Sequence, residues 1–186
     1  MTDIYDYGST YTQQYLTANT SVSYAATHIG VQNTDDQFND DSISSVKVYL
    51  RKVGSPTGSV YVEIADSSDV VKASGSTSAS GLTTSFAEYT FSLSATWQED
   101  YRCYIKYDVD AGASNYVEAA MGYSTTPALL PSYWQNQAKG NTQGTSWTDQ
   151  SNPQQLGIYA TISASVPPPP SAGVRFPPPP IILGRF

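Results

Sequence analysis

The chain has 186 residues, enough for one domain with a hydrophobic core, and it carries 16 acidic residues against 9 basic ones. Its single cysteine, Cys103, excludes an intrachain disulfide and a thiolate metal cluster, and its single histidine, His28, excludes metal motifs that need two histidines. Residues 1–166 hold seven basic and sixteen acidic groups, a net charge of −9. Because such a body repels polyanions, we do not expect a nucleic-acid partner.

In chain order, the first forty residues are acidic and rich in tyrosine but irregular, and only residues 21–29 are predicted there as an edge strand. Alternation of apolar and polar residues begins clearly at residues 45–51 and returns at residues 59–64. The turn residues at 54–58 separate these strands, so we predict that they pair as an antiparallel hairpin. The side chains predicted to face inward are Val46, Val48, Leu50, Val60, Val62 and Ile64.

A segment rich in serine and glycine, residues 74–85, is predicted as a loop. The same alternation then marks four more strands, at residues 88–93, 101–109, 115–123 and 156–162. The second of these places Cys103 on the inner face, so its thiol is predicted to belong to the core. The pattern lacks a helical stripe of ten residues. It predicts an all-β domain in which two antiparallel sheets form a jelly-roll-like β-sandwich, followed by an extended proline-rich C-terminal arm.

The composition divides the chain into three parts: residues 1–40, an acidic tyrosine-rich segment that belongs to the sandwich or packs on it; residues 41–166, the sandwich domain; and residues 167–186, the polyproline arm. Eight of the twelve prolines fall in the arm, as two blocks that favour polyproline II, a stiff extended helix rising about 3.1 Å per residue. The arm carries no acidic residue and ends on apolar and basic side chains, unlike a solubilising tail.

We therefore predict that the arm binds a partner, either another particle protein or a neighbouring copy in a homo-oligomer. The alternatives are an arm folded back on its own acidic body and an arm that stays mobile. The predicted partner-binding residues are Pro167, Pro168, Pro169, Pro170, Val174, Arg175, Phe176, Pro177, Pro178, Pro179, Pro180, Ile181, Ile182, Leu183, Arg185 and Phe186.

Two further groups of side chains suggest ligands. Asp35, Asp36, Asp40 and Asp41 place four carboxylates within seven residues, and oxygen ligands of this kind suit calcium, the one candidate cofactor. Their spacing does not match an EF-hand loop, and a solvated acidic loop is the commoner explanation.

The second group combines flat aromatic rings with amide groups, as a sugar site requires: Tyr133, Trp134, Asn136 and Trp147. The alternative is that loop aromatics cap the open end of the sandwich or form an interface.

Catalysis is not expected. Glu63 and Glu88 fall on outward faces of their strands, Glu118 lies in a weak strand, and His28 has no neighbouring serine, cysteine or aspartate motif. Spacing therefore offers no acid and base pair, and the chain is predicted not to be an enzyme.

Residues 42–60 resemble the opening hairpin of a β-sandwich module of the choice-of-anchor type, found in phage structural proteins and in bacterial or metagenomic surface proteins. The resemblance continues through residues 73–76, 89–93 and 144–150, and covers roughly residues 40–162. It implies a β-sandwich used for display, adhesion or carbohydrate contact, without a catalytic residue. The acidic start and the proline arm are not part of that module.

Together these features predict a virion structural protein, a surface decoration, spike or fibre component anchored to the particle by the arm. The sequence has no membrane span and lacks the basic start and apolar stretch of a secretory signal, which predicts synthesis in the host cytoplasm and a place on the virion surface, or otherwise an extracellular one. Host surface glycans are candidate ligands. The alternative functions are a carbohydrate-binding or adhesion module and an extracellular filament subunit.

Overall fold

The computed structural model describes residues 2–3, 11–34, 39–123, 134–140, 144–149, 154–156 and 158–163. Apart from a short 3-10 helix at Ala79–Gly81, the regular structure of these residues is β-strand. The strands are β1 (Thr2–Asp3), β2 (Tyr11–Leu16), β3 (His28–Asn33), β4 (Ser42–Val53), β5 (Ser59–Ala65), β6 (Val71–Ser78), β7 (Ala87–Thr96), β8 (Arg102–Lys106), β9 (Tyr116–Tyr123), β10 (Trp134–Lys139), β11 (Thr148–Asp149), β12 (Gln154–Leu156) and β13 (Ile158–Ser163).

Seven of these strands form sheet A, which is built around β4. One edge of β4 pairs with β7, and the other edge is shared, since residues 42–48 pair with β13 and residues 50–53 pair with β9. β12 pairs with residues 121–123 of β9, past the part of β9 that pairs with β4. β12 and β13 therefore lie between β9 and β4 where these two strands no longer pair with each other. β2 pairs with the far edge of β9, and β1 pairs with β13.

The other six strands form sheet B, in the order β11-β10-β3-β8-β5-β6. The eight strands from β2 to β9 therefore run β2-β9-β4-β7 in sheet A and β3-β8-β5-β6 in sheet B, which is the strand order of a jelly roll. The later strands extend this unit, because β10 and β11 add to the β3 side of sheet B while β12 and β13 enter sheet A. The predicted all-β, jelly-roll-like sandwich is confirmed.

The core lies between the sheets and is formed by the apolar faces that the alternating pattern predicts. Cys103 belongs to it, and burial raises the pKa of its thiol to about 12, so the thiol stays protonated at neutral pH. Tyr89 is only partly buried at the margin of the core. The buried residues confirmed from the predicted strands are Val46, Val48, Leu50, Val60, Val62, Ile64, Phe91, Leu93, Ile105, Leu156, Ile158 and Ala160.

One predicted pairing is wrong. The strands at 45–51 and 59–64 do not form a hairpin, because β4 lies in sheet A while β5 lies in sheet B between β6 and β8. The connection at residues 54–58 carries the chain from one sheet to the other, a separation of about 10 Å. Gly54 and Gly58, with φ of 66° and 76°, supply the left-handed backbone that this crossing uses.

Two other predictions are corrected. The first part of the segment predicted as a loop at 74–85, residues 74–78, belongs to the strand β6, whose side chains are largely exposed at the edge of sheet B and so lack an alternating apolar face. The edge strand predicted at 21–29 is instead a turn at 20–24, followed by β3, which starts at His28 and lies inside sheet B between β10 and β8.

The end of the sandwich at which β4 begins is closed by Trp97, and we call it the Trp97 end. The Trp97 side chain is fully buried, and its ring meets that of Tyr101 edge-on at 6.3 Å between centroids. The backbone N–H of Trp97 donates to the carbonyl of Asp41 at 2.7 Å, and its carbonyl accepts from the N–H of Asp40 at 3.0 Å. Trp97 thus has the capping role that the sequence offers as an alternative for loop aromatics.

Gly30 is expected to be essential for the packing of sheet B. A Cβ at this position would lie far inside van der Waals contact of the Cβ of Tyr104 and the carbonyl oxygen of Cys103. We expect Gly30→Ala to lower the free energy of unfolding by about 1–3 kcal/mol in urea melts, because backbone must move to admit the methyl group.

Gly81→Ala is the matched control, because a Cβ there has Ser78 Cβ as its nearest neighbour at 3.9 Å, an ordinary contact. Its effect should stay within about 0.5 kcal/mol. Equal destabilisation by the two variants would contradict the packing argument.

Candidate functional site

The outer face of sheet B carries a cluster of aromatic, charged and amide side chains. Alternation along β3, β8 and β10 turns one side chain into the core and the next onto this face. Trp147 reaches the same face from the segment that leads into β11. We call the following residues the Trp147 cluster: His28, Asp69, Arg102, Tyr104, Lys139 and Trp147.

The indole of Trp147 is the centre of the cluster. Its ring lies edge-on to Tyr104, with 5.1 Å between centroids, and to His28 at 5.9 Å. The guanidinium carbon of Arg102 and the ammonium nitrogen of Lys139 each lie 5.3 Å from the ring centroid, within cation–π range. These contacts fix the orientation of a ring that remains partly exposed.

Asp69 ties the indole to the two cations. Its Oδ1 accepts from Nε1 of Trp147 at 2.7 Å, its Oδ2 accepts from Nζ of Lys139 at 3.0 Å, and Nη1 of Arg102 lies 3.5 Å from Oδ1. Burial would raise the pKa of Asp69, but hydrogen bonds from Lys139 and Trp147, together with the charges of Lys139 and Arg102, hold this pKa below its ordinary value. The carboxylate is therefore ionised at neutral pH.

A chain of amides extends the cluster across four strands. Gln137 is buried, its Oε1 accepts from Nε of Arg102 at 2.7 Å, and its Nε2 donates to Gln32 at 2.6 Å and to Asp149 at 2.8 Å. Each polar atom of this buried amide is thus used, as buried polar groups require. The network links β8, β3, β10 and β11 and positions Asp149 at the margin of the face.

Beneath the indole, Tyr104 donates its hydroxyl hydrogen to Oε2 of Glu63 at 2.7 Å. Burial, this hydrogen bond and the charge of Glu63 raise the pKa of Tyr104, so its hydroxyl remains a donor. Glu63 lies on the outer face as the sequence predicts, yet it is only 8% exposed there. Gly30, opposite Tyr104 in the register, presents no side chain above the sheet.

The structure places the predicted sugar-contact residues unequally. Trp147 lies in the cluster, Tyr133 falls outside the described residues, and the backbones of Trp134 and Asn136 lie on β10. Sequence reasoning did not select Asp69, Arg102, Lys139 or Gln32, whereas Gln137 follows directly on the predicted sugar-contact residues of β10. What these residues share is a position on the outer face of a strand or in a tight turn. Many polar residues of the chain have such a position, and only the strand order shows which of them lie side by side.

The acidic run proposed for calcium is only partly described. Asp35 and Asp36 lie outside the described residues, while Asp40 accepts from Nε2 of Gln98 at 2.9 Å. Over the described residues, no group of three histidine, cysteine, aspartate or glutamate side chains is placed to hold a metal ion. Calcium binding by Asp35, Asp36, Asp40 and Asp41 stays a prediction.

The glutamates weighed for catalysis have structural partners on sheet A. Glu88 pairs with Lys47 at 2.9 Å, and the buried Glu118 pairs with Arg51. The arm residues 167–186 lie outside the described residues.

Comparison with known proteins gives no relative: no protein family, no curated protein and no solved structure matches the chain. The resemblance to choice-of-anchor modules therefore stays a prediction. Within the described residues, no helix is long and apolar enough to cross a membrane.

His28 should make stability depend on pH. Burial, followed by the charges of Lys139 and Lys106, lowers its pKa from 6.5 to about 4, although Asp108 and Asp69 oppose this shift. The unfolded chain therefore binds the proton more tightly, and the stabilisation, complete above pH 6.5, is lost as pH falls towards 4. We expect a loss of about 1–2 kcal/mol, because solvent screens this half-buried ring.

The measurement is a set of urea melts between pH 7 and pH 4 on the parent chain and on His28→Gln, which cannot ionise. Subtracting the variant removes the contribution of the carboxylates common to both. Identical loss of stability in the two proteins would show that His28 is not the titrating group.

Proposed function

We propose that the chain is a structural protein of a virus particle, a jelly-roll module displayed on the surface as a decoration, spike or fibre component and anchored by the arm at residues 167–186. The main support for the proposal is the position of Ser163, at which the described part of the sandwich ends. Ser163, the last residue of β13, pairs with Ser42 at the Trp97 end, after both sheets have been formed. The last described residue thus lies at the Trp97 end of the sandwich, four positions before Pro167.

The N-terminal strand lies at the same end, since Thr2 pairs with Ile162 and Asp3 with Thr161. A module anchored from this end would keep its opposite end and both outer faces available. Such an arrangement suits display, and the polyproline blocks suit a spacer because they lose little chain entropy on docking.

Charge supports an arm that contacts another copy of the chain. The Trp97 end carries exposed Asp40, Glu99 and Asp100, whereas the charged residues of the arm are Arg175 and Arg185. Opposite charges favour encounter between the arm of one copy and the acidic end of the next. The same attraction would act on an arm folded back on its own body, so the oligomeric state must decide between them.

The test compares the full chain with a chain ending at Val166, by size-exclusion chromatography with light scattering and by co-sedimentation with candidate shell protein. We expect only the full chain to form a defined oligomer or to join the shell. The truncated chain should keep its melting temperature, because the described core lies within residues 16–160.

Changing the eight arm prolines to serine provides a matched control that keeps arm length and both arginines. Weakened assembly in this variant would support the stiff spacer. Equal behaviour of full and truncated chains, whether both monomeric or both in one oligomer, would refute anchoring by the arm. Open-ended polymers of the full chain alone would instead favour the filament alternative.

A further inference from the structure

We propose that the outer face of sheet B around Trp147 is a binding site for an uncharged saccharide, with the indole as stacking platform and the neighbouring charged and amide groups as a hydrogen-bonding rim. This site would let the displayed module bind a saccharide. The inference rests on the proposed function only for the place where binding occurs, the surface of the particle. The binding itself needs neither the arm nor the particle.

The platform is preorganised. Trp147 is held on its edge by Tyr104 and His28, and its N–H is fixed by Asp69. A saccharide that stacks its C–H face on the part of the indole not covered by Arg102 and Lys139 would therefore not have to order the ring first, which removes one cost of binding. The ring is partly exposed, whereas the other described tryptophan side chain, Trp97, is fully buried in the core.

The rim determines the ligand's charge. The cations at the indole are Arg102 and Lys139, and the anions are Asp69 and, through Gln137, Asp149. The formal charges of these four groups cancel, and the charges next to them, Glu63, Lys106 and Asp108, add a net −1, so the site does not select a strongly charged ligand. Sugar hydroxyls can donate to the carboxylates and accept from Lys139, which an uncharged polyol does without introducing an unpaired charge.

An unused donor lies at the same place. Nη1 of Arg102 is buried and has no hydrogen-bond partner among the described residues, although its ion-pair partner Asp69 Oδ1 lies 3.5 Å away. A buried donor without a partner costs about 1–3 kcal/mol. A saccharide hydroxyl beside the indole would satisfy this donor once the Arg102 side chain turns its buried Nη1 towards the ligand.

The outer face of sheet A shows what a purely structural arrangement looks like in this fold. There, Lys47 pairs with Glu88 and Arg51 pairs with Glu118, and Tyr49 donates to Glu88 at 3.2 Å. On sheet B, one carboxylate instead gathers an indole and two cations around a partly exposed ring. Beside sheet A, Arg51 also lies over a ring, that of Phe86 at 4.7 Å, but this ring has no polar edge that a carboxylate could bind.

The experiment applies the full chain to a glycan array that presents uncharged hexose and N-acetylhexosamine oligosaccharides beside sialylated and sulfated ones. Calorimetric titration of the best ligand follows. We expect binding to uncharged saccharides that stays constant between low and high salt, because no net charge is neutralised. Trp147→Ala should weaken it at least about tenfold, and Trp147→Phe, which keeps a flat ring, should weaken it less.

Tyr49→Ala is the matched control, because it removes an aromatic residue that also donates to a carboxylate, but from the opposite sheet. It should bind as the parent does. Circular dichroism of Trp147→Ala and Trp147→Phe shows whether each variant keeps the fold, so weaker binding in a folded variant supports the site. The chain ending at Val166 should bind equally well, which separates this inference from anchoring.

The proposal is overturned if no uncharged saccharide binds on the array or in titration up to about 10 mM, which is near the weak limit of measurable affinity. It is also overturned if binding is confined to sialylated or sulfated ligands. Unchanged affinity in Trp147→Ala would overturn it as well. None of these bears on whether the arm assembles.

Discussion

Burial of one face of each strand is the constraint on which the rest of this structure depends. A strand that alternates apolar and polar residues can satisfy its apolar face only against a second sheet, and the chain meets that requirement by crossing between sheets after β2, β3, β4, β6, β7, β8, β9 and β11. The core closes between the sheets, so the outer faces are left to polar chemistry. The outer face of sheet A carries ion pairs, and the outer face of sheet B carries the residues around Trp147.

The outer face of sheet B depends on the core beneath it. Each residue of the Trp147 cluster on β3 or β8 neighbours a buried residue such as Ile29, Cys103 or Ile105, so the positions of the outer side chains are set by packing inside. Gly30 completes this arrangement, because the close approach of β8 leaves no room for a Cβ. A functional surface supported by a rigid sheet is better ordered than one made only of loops.

Much of the fold could be predicted from the sequence, because in strands such as β4 and β8 the alternation of apolar and polar residues shows which side chains face the core. Alternation does not show to which sheet a strand belongs, since β4 and β5 would have the same pattern whether they paired with each other or faced each other across the core. β6 escaped prediction because an exposed edge strand buries little. Of the Trp147 cluster, the sequence indicates a ligand-binding role only for Trp147, since Asp69 lies 78 residues away in sequence and joins it only by folding.

Assembly through the arm is the central claim, and hydrogen–deuterium exchange of the full chain, dilute and assembled, tests it most directly. Residues 171–176 and 181–186 carry backbone amides between and after the proline blocks. The account predicts that these amides gain protection on assembly while the core strands remain protected in both states. Exchange at the unprotected rate throughout residues 171–186 in the assembled protein would contradict it.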